Sequence, residues 1–261
     1  MKGPPVWVAA VAVLVLVFLQ LPVIVVAMAS VSTTSYLTVP PVGFTLDWFV
    51  EVLTDRDYIE AIQTSFLLAF AATAGSLVLG TAASYALHHR LVPGADALAS
   101  FFMAPLIFPA VVIGVALLQY YSLVGLRWSF WGLLLAHIAI TVPYVIRACL
   151  TSLAGVKSEL EEAARVLGAS GFNAFRLVTL PLLKPGLVAG AFFAFITSLD
   201  NVPVTIFLLG PRQSTLPVKI FTSIEHGGVD PGLAAISTLL ILVTGLALVI
   251  AERWVGFSRF V

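Results

Sequence analysis

Six runs of apolar residues, each long enough to cross a bilayer, decide what this chain can be. They fall at Val6–Met28, Ile62–Leu87, Ala99–Ser122, Phe130–Ile146, Pro185–Leu209 and Leu233–Ala251. Each is about 17–25 residues long, the length a helix needs to cross the hydrocarbon core. Strands of a membrane barrel are about half that long. Lipid offers the backbone no hydrogen-bond partner, so each run must close its own bonds as a helix. The expected fold is an all-α integral membrane bundle of six transmembrane helices, one domain over residues 1–261 with no internal repeat. Composition agrees. The chain is 60% hydrophobic and 10% charged, whereas soluble domains are about a quarter charged.

Basic residues orient the bundle. With the N-terminus inside, Lys2, Arg90, Arg147, Lys157, Arg165, Arg176, Lys184, Arg253 and Arg259 are cytoplasmic, and Arg56, Arg127, Arg212 and Lys219 lie opposite. Nine against four favours N-in and C-in. The first outside loop is acidic, with Asp47, Glu51, Asp55, Asp57 and Glu60 around Arg56. It reads as a solvated loop, or as a surface that could receive an outside partner. A net charge of zero gives no field for nucleic acid. The first run exceeds a signal-peptide core and reads as a retained anchor. The single Cys149 excludes an intrachain disulfide, and no Cys/His spacing suits zinc.

Pro105, Pro109, Pro143 and Pro203 fall inside the runs, where they shape helices or bend them around a pathway. Gly186 and Gly190 would let the fifth helix approach a neighbour closely. Leu216–Glu225 suits a short surface helix.

One segment is unlike the rest. Residues 159–181 read ELEEAARVLGASGFNAFRLVTLP. Ser158 with Glu161 forms a capping box that starts a helix. Leu160, Ala163, Ala164 and Leu167 share one face, made shallow by the alanines. Gly168 supplies a left-handed stop, Ser170 caps a second short helix, and Leu180-Pro181 ends it. Physics alone allows an amphipathic loop lying on the membrane surface, or a docking handle.

The spacing of Glu162-Ala163-Ala164, Gly168, Val178 and Leu180-Pro181 resembles the EAA loop of binding-protein-dependent ABC importer permeases of the type I, MetI-like fold, with Val178 where isoleucine is usual. The resemblance extends over the chain in span number and loop order. It implies a coupling helix, within residues 157–181, that docks in a groove of a separate ATPase. Closure of an ATPase dimer would then switch the permease between inward-facing and outward-facing states. Glu162, Ala163, Ala164, Gly168, Leu180 and Pro181 are the implied coupling residues. Ala163 and Ala164 would give close fit, and Glu162 a polar contact at the rim. The chain contains no G-x-x-x-x-G-K-[ST] phosphate loop. It is therefore expected to be a permease subunit rather than an enzyme, with no cofactor of its own and with ATP and Mg bound by the partner.

Asp200 is the candidate for the substrate path. It falls in the fifth run, where a charge costs about 2.5–3.5 kcal/mol or more at the bilayer centre. No Lys or Arg lies well inside a run to pair with it. It could hydrogen-bond Ser198, pin helices together, or act as a transient counter-charge for a cationic solute. His137 reads as a hydrogen-bonded packing residue, and His88 and His89 as interfacial residues. Ser198-Leu199-Asp200-Asn201, then Pro203-Val204 and Gly210-Pro211, resembles the fifth helix of the spermidine/putrescine permease group. That group often carries two adjacent aspartates, and Asn201 departs from the pattern. The expected cargo is a small polar, amine-bearing solute. Relatives of the group handle opines, aminoethylphosphonate, amino-acid-like compounds and ferric iron. The expected partners are an ABC ATPase dimer, a second homologous permease as heterodimer, an extracellular or periplasmic solute-binding protein, and the lipid of a bacterial cytoplasmic membrane. An ion-gradient-driven secondary transporter using Asp200 is the alternative, although the inverted repeats it would favour are not visible. An intramembrane enzyme would need a constellation absent from the sequence order.

Overall fold

The computed structural model describes residues 5–36, 38–156, 159–228 and 230–255, and all regular structure among them is helical. The Ser158 cap and the start of the handle at Lys157 lie outside these residues, as do Lys2 and Arg259.

Helix α1, Val6–Ala29, is apolar around its whole circumference and leaves most of its side chains exposed. A helix with no polar face suits lipid. It is followed by α2, Asp47–Thr54, and α3, Arg56–His88. Internal contacts divide the chain into two units. The first unit holds α1, α2, the start of α3 up to Glu60, and Lys219–Gly245. Within it the Trp48 indole N–H donates to Ser32 O at 2.8 Å, tying α2 to the turn after α1. Lys219 Nζ lies 3.7 Å from Asp57 and 3.9 Å from Asp55, over the Tyr58 ring.

The second unit contains Ala61–Val218. After α3 come α4, Ala95–Met103, with a 3-10 turn at Ala104–Leu106; α5, Ala110–Val124; and α6, Phe130–Ala154. The handle is α7, Glu159–Val166, and α8, Gly171–Ala174, followed by a π-helical turn, Phe175–Thr179, and α9, Leu180–Leu182. Then come α10, Lys184–Leu199, and α11, Thr205–Leu208. Helices α12, Leu216–Gly227, and α13, Pro231–Val255, complete the chain. The expected short helix from Leu216 is present as α12, and its first residues Leu216 and Val218 are buried rather than at the surface.

Four helices are long and apolar enough to cross a membrane singly, and up to six if each of two bent pairs is one span. The third run is not one straight helix: it turns by 98° between Leu106 and Ala110. Pro109 is extended there, with ψ 128°, and proline also disfavours helical geometry at Phe108 before it. The fifth run does not reach Leu209 as one helix. It stops at Leu199, and α11 resumes four residues beyond Asn201. Pro143, by contrast, sits inside an unbroken α6.

Close packing of α10 on α6 organises the second unit. A Cβ on Gly186 would lie 2.7 Å from Ser152 Cβ and 2.8 Å from Ala148 O. One on Gly190 would lie 3.1 Å from Val145 Cα. The paired glycines thus serve the close approach expected of them. Around this seam Val145, Cys149, Leu153, Leu183 and Ala194 form one buried cluster.

Candidate functional site

Helix α7 is amphipathic in the opposite sense to a core-facing helix. Its buried residue is an acid, Glu161, whereas Leu160, Val166 and Leu167 are exposed, Leu167 at 89%. Glu162, Ala163 and Gly168 are exposed and Ala164 is half-buried. Phe172 and Leu177 extend the exposed apolar surface. Burying an acid and exposing leucine is unfavourable in isolation, so each reversal needs a compensating partner.

For Glu161 the partner set is visible. Oε1 accepts from Tyr85 Oη at 2.6 Å and from Arg165 Nη2 at 2.8 Å. Oε2 accepts from Thr179 Oγ1 at 2.7 Å and lies 3.4 Å from His89 Nε2. Burial alone would raise this carboxyl. The hydrogen bonds from Tyr85, Thr179 and Arg165, with His89 close by, outweigh it and hold the group below its usual range. The Arg165 guanidinium is correspondingly raised, chiefly by its hydrogen bond to Glu161. One carboxylate therefore fastens α7 to the end of α3 and to the π-helical turn.

The stop at the end of α7 is as the residues dictate. Gly168 has φ +93°. Its N–H reaches Arg165 O, and the Ala169 N–H reaches Ala164 O. This is the paired bonding of a Schellman motif. No heavy atom lies within 4 Å of where a Gly168 Cβ would stand, so the backbone angle alone demands glycine there. Ser170 Oγ accepts from the Asn173 N–H at 3.3 Å and caps α8. Leu180-Pro181 does not end this helical run, contrary to expectation. Leu180 is helical, and its N–H reaches back to Phe175 O in the π-helical turn. That extra residue lets the chain continue through Pro181 into α10, with a 70° bend before Lys184. Leu180 is half-buried and Pro181 exposed.

At the other end of α10, Asp200 is the residue after the last helical turn rather than a residue within it. It is exposed, and its carboxylate has no hydrogen bond or ion pair among the described residues. Ser198 does not bond it. The buried Ser198 hydroxyl lies 2.8 Å from His137 Nδ1, and His137 Nε2 lies 3.0 Å from Thr205 Oγ1. Asn201 Oδ1 accepts the N–H groups of Val204 and Thr205 at 3.1 and 3.4 Å and the Thr205 hydroxyl at 3.3 Å. His137 is thus the hydrogen-bonded interior histidine expected of it. Ser198, Asp200 and Asn201 lie together at one break, while the EAA-type residues lie at the opposite end of α10.

Residues 76–258 match the family model described as the binding-protein-dependent transport system inner membrane component. The chain belongs to this family. The spermidine/putrescine transport system permease protein PotC of Escherichia coli (strain K12) is 33% identical over 83% of this chain and 81% of its own length. The putrescine permease PotI of the same organism is 30% identical over 87% and 82%. A bacterial ABC transporter for import of the acidic polysaccharide alginate shares the fold, with a TM-score of 0.75 at 17% identity over 97% of this chain and 99% of the other. The chain is therefore a MetI-like ABC importer permease with polyamine-permease relatives. It is a permease subunit and not an enzyme, since ATP hydrolysis in such importers lies in a separate subunit.

Sequence reasoning missed one residue of the permease and the connection made by another. Glu161 entered only as the far half of a capping box. Nothing local distinguishes it from Glu159 and Glu162, because its partners Tyr85 and Thr179 lie 76 and 18 residues away. His137 was recognised as a packing residue, but its link to the break was hidden by 61 and 68 residues of separation from Ser198 and Thr205. The permease also has a groove of about 810 Å³ along the α6–α10 seam, bordered by Tyr144, Arg147, Leu182 and Phe193. It opens along the first half of α10, away from Asp200.

Proposed function

We propose that the permease moves a small polar, amine-bearing solute across the bacterial inner membrane by alternating access, driven through the EAA loop by a separate ATPase dimer that binds ATP and Mg. The observation that carries this reading is the inverted α7. An apolar, shallow surface of Leu160, Ala163, Val166 and Leu167 faces outward, while the Glu161 carboxylate fixes its back to the protein. A helix built this way suits a protein groove better than a lipid surface, because it is clamped from behind and stopped sharply at Gly168. Glu162 stands exposed beside that surface as its polar contact.

In this reading the chain crosses the membrane six times, each bent pair counting as one span, with both termini inside. It pairs with a second homologous permease and receives solute from a binding protein. The relatives named for spermidine and putrescine support an amine cargo, and Asp200, with Asn201 and Ser198 beside it, is its counter-charge along the path. The decisive measurement uses Gly168→Asp and Glu162→Arg in the purified complex. Both are expected to remain in the membrane and to lose binding-protein-stimulated ATP hydrolysis together with uptake. Full stimulated hydrolysis in both variants would sink the coupling role of α7.

A further inference from the structure

We infer that His137 is the positioning residue that sets Asp200 and Asn201 against the transported solute, an inference that rests on the substrate-path reading above. The argument begins with the break. Between Leu199 and Thr205 the regular helical bonding lapses, and Pro203 has no N–H to contribute. The two flanking hydroxyls, Ser198 on the last turn of α10 and Thr205 on the first residue of α11, are both bonded to the same imidazole. One fully buried ring on α6 therefore spans the gap that the backbone leaves open.

The direction of each bond follows from the neighbours. Asn201 Oδ1 is an acceptor only, and it takes the Thr205 hydroxyl proton. Thr205 Oγ1 is then free to accept from His137 Nε2–H, so Nδ1 accepts from the Ser198 hydroxyl. This tautomer is assigned from the network, and it satisfies every member. The chain continues behind the ring. Thr141 Oγ1 donates to His137 O at 2.6 Å and accepts from Ser76 Oγ of α3 at 2.7 Å. Neutral groups thus run from α3 through α6 to both sides of the break. Leu199 is anchored in the core at 3% exposure, so Asp200, exposed and with no hydrogen bond or ion pair among the described residues, is left between two held neighbours. An apolar residue at 137 would fill the same space but leave the Ser198 and Thr205 hydroxyls without their ring partner. The imidazole instead holds the two segments that flank Asp200.

The test uses the assembled complex in membranes. In an Asp200→Cys, Cys149→Ser background, the thiol at position 200 reports its own access to a cationic methanethiosulfonate reagent. Adding His137→Phe, which removes both ring hydrogen bonds, is expected to change the labelling rate about tenfold. His137→Gln, which keeps a donor and an acceptor, is expected to restore most of it. Equal rates in all three overturn the inference. With Asp200 and Cys149 intact, His137→Phe is expected to cut uptake of radiolabelled putrescine about tenfold while binding-protein-stimulated ATP hydrolysis persists. Parallel loss of both marks a packing role only and overturns it. Absence of putrescine uptake by the unaltered complex refutes the amine-cargo reading instead, and the labelling rates then decide the role of His137. Should His137→Phe fail to assemble, Thr205→Val, which removes one of the two hydroxyls on the ring, replaces it in both measurements with changes expected in the same sense.

Discussion

Near each end of α10 sits a buried polar side chain with a full set of partners, and the two side chains are of different kinds. At the α7 corner it is a carboxylate, Glu161, ringed by Tyr85, Arg165, Thr179 and His89. At the break it is an imidazole, His137, closed by two hydroxyls. An ionised acid withstands burial only when charge-assisted bonds replace its water. The corner has that option because Arg165, half exposed, reaches in from α7 itself. An imidazole has one donor and one acceptor to satisfy, so neutral hydroxyls suffice. On the proposed function, the corner takes force from the ATPase and the break meets the solute. A strong ionic clamp suits the first. A neutral latch suits the second, since it adds no fixed charge to compete with Asp200.

The comparison predicts effects that fall with distance from the shared seam. Gly186→Val should damage both ends, because its Cβ would meet Ala148 O at 2.8 Å and the α6–α10 seam would have to part. A loss of about 3 kcal/mol is expected from such overpacking, read as a lower thermal midpoint and lower yield of the purified complex. An unchanged midpoint would break the view that α10 seats on α6 here.

Glu161→Ala should affect the corner alone. It leaves the buried Thr179 hydroxyl and the half-exposed Tyr85 without their acceptor, at a cost of about 2 kcal/mol. A spin label on Ala163→Cys, in the Cys149→Ser background, should become more mobile, with Glu161→Gln intermediate. The same label tests the pH dependence. The folded carboxyl titrates below its ordinary value of 4.5, so its contribution is complete above that value and is lost as pH falls through the lower folded one. The label should loosen on acidification in the Glu161 protein and show no such step in Glu161→Gln. A step of equal size in both would assign the loosening to other groups.

Thr205→Val should have the smallest effect. It removes one partner from His137 and one from Asn201, which retains its two backbone donors. The expected cost is about 1 kcal/mol, confined to labelling at position 200 with no change in label mobility at 163. A change at both positions would show that the two ends are not independent.

Legibility from the chain followed sequence distance. Gly168 and Ser170 act on bonds three to five residues away, and both behave as their residue types require. Leu180-Pro181 was misread because a proline is expected to end a helix. The π-helical turn before it carries the Thr179–Glu161 bond, whose partners are 18 residues apart. The bends at Pro109 and Pro203 have the same character. A proline marks where a helix can give way, and packing decides whether it does, as the unbroken Pro143 shows.

By itself the sequence determined a helical membrane chain, the EAA-type motif with its stop at Gly168, and the lone carboxylate at Asp200. These rest on composition, run length and local backbone chemistry, which need no partner from elsewhere in the chain. Only the tertiary structure decided that Glu161 rather than leucine faces inward on α7, that α10 ends before Asp200, and that His137 bridges the break. Each of these depends on whether a buried polar group finds its complement across 18 to 76 residues of chain. That is a matter of packing and geometry, which no local pattern encodes.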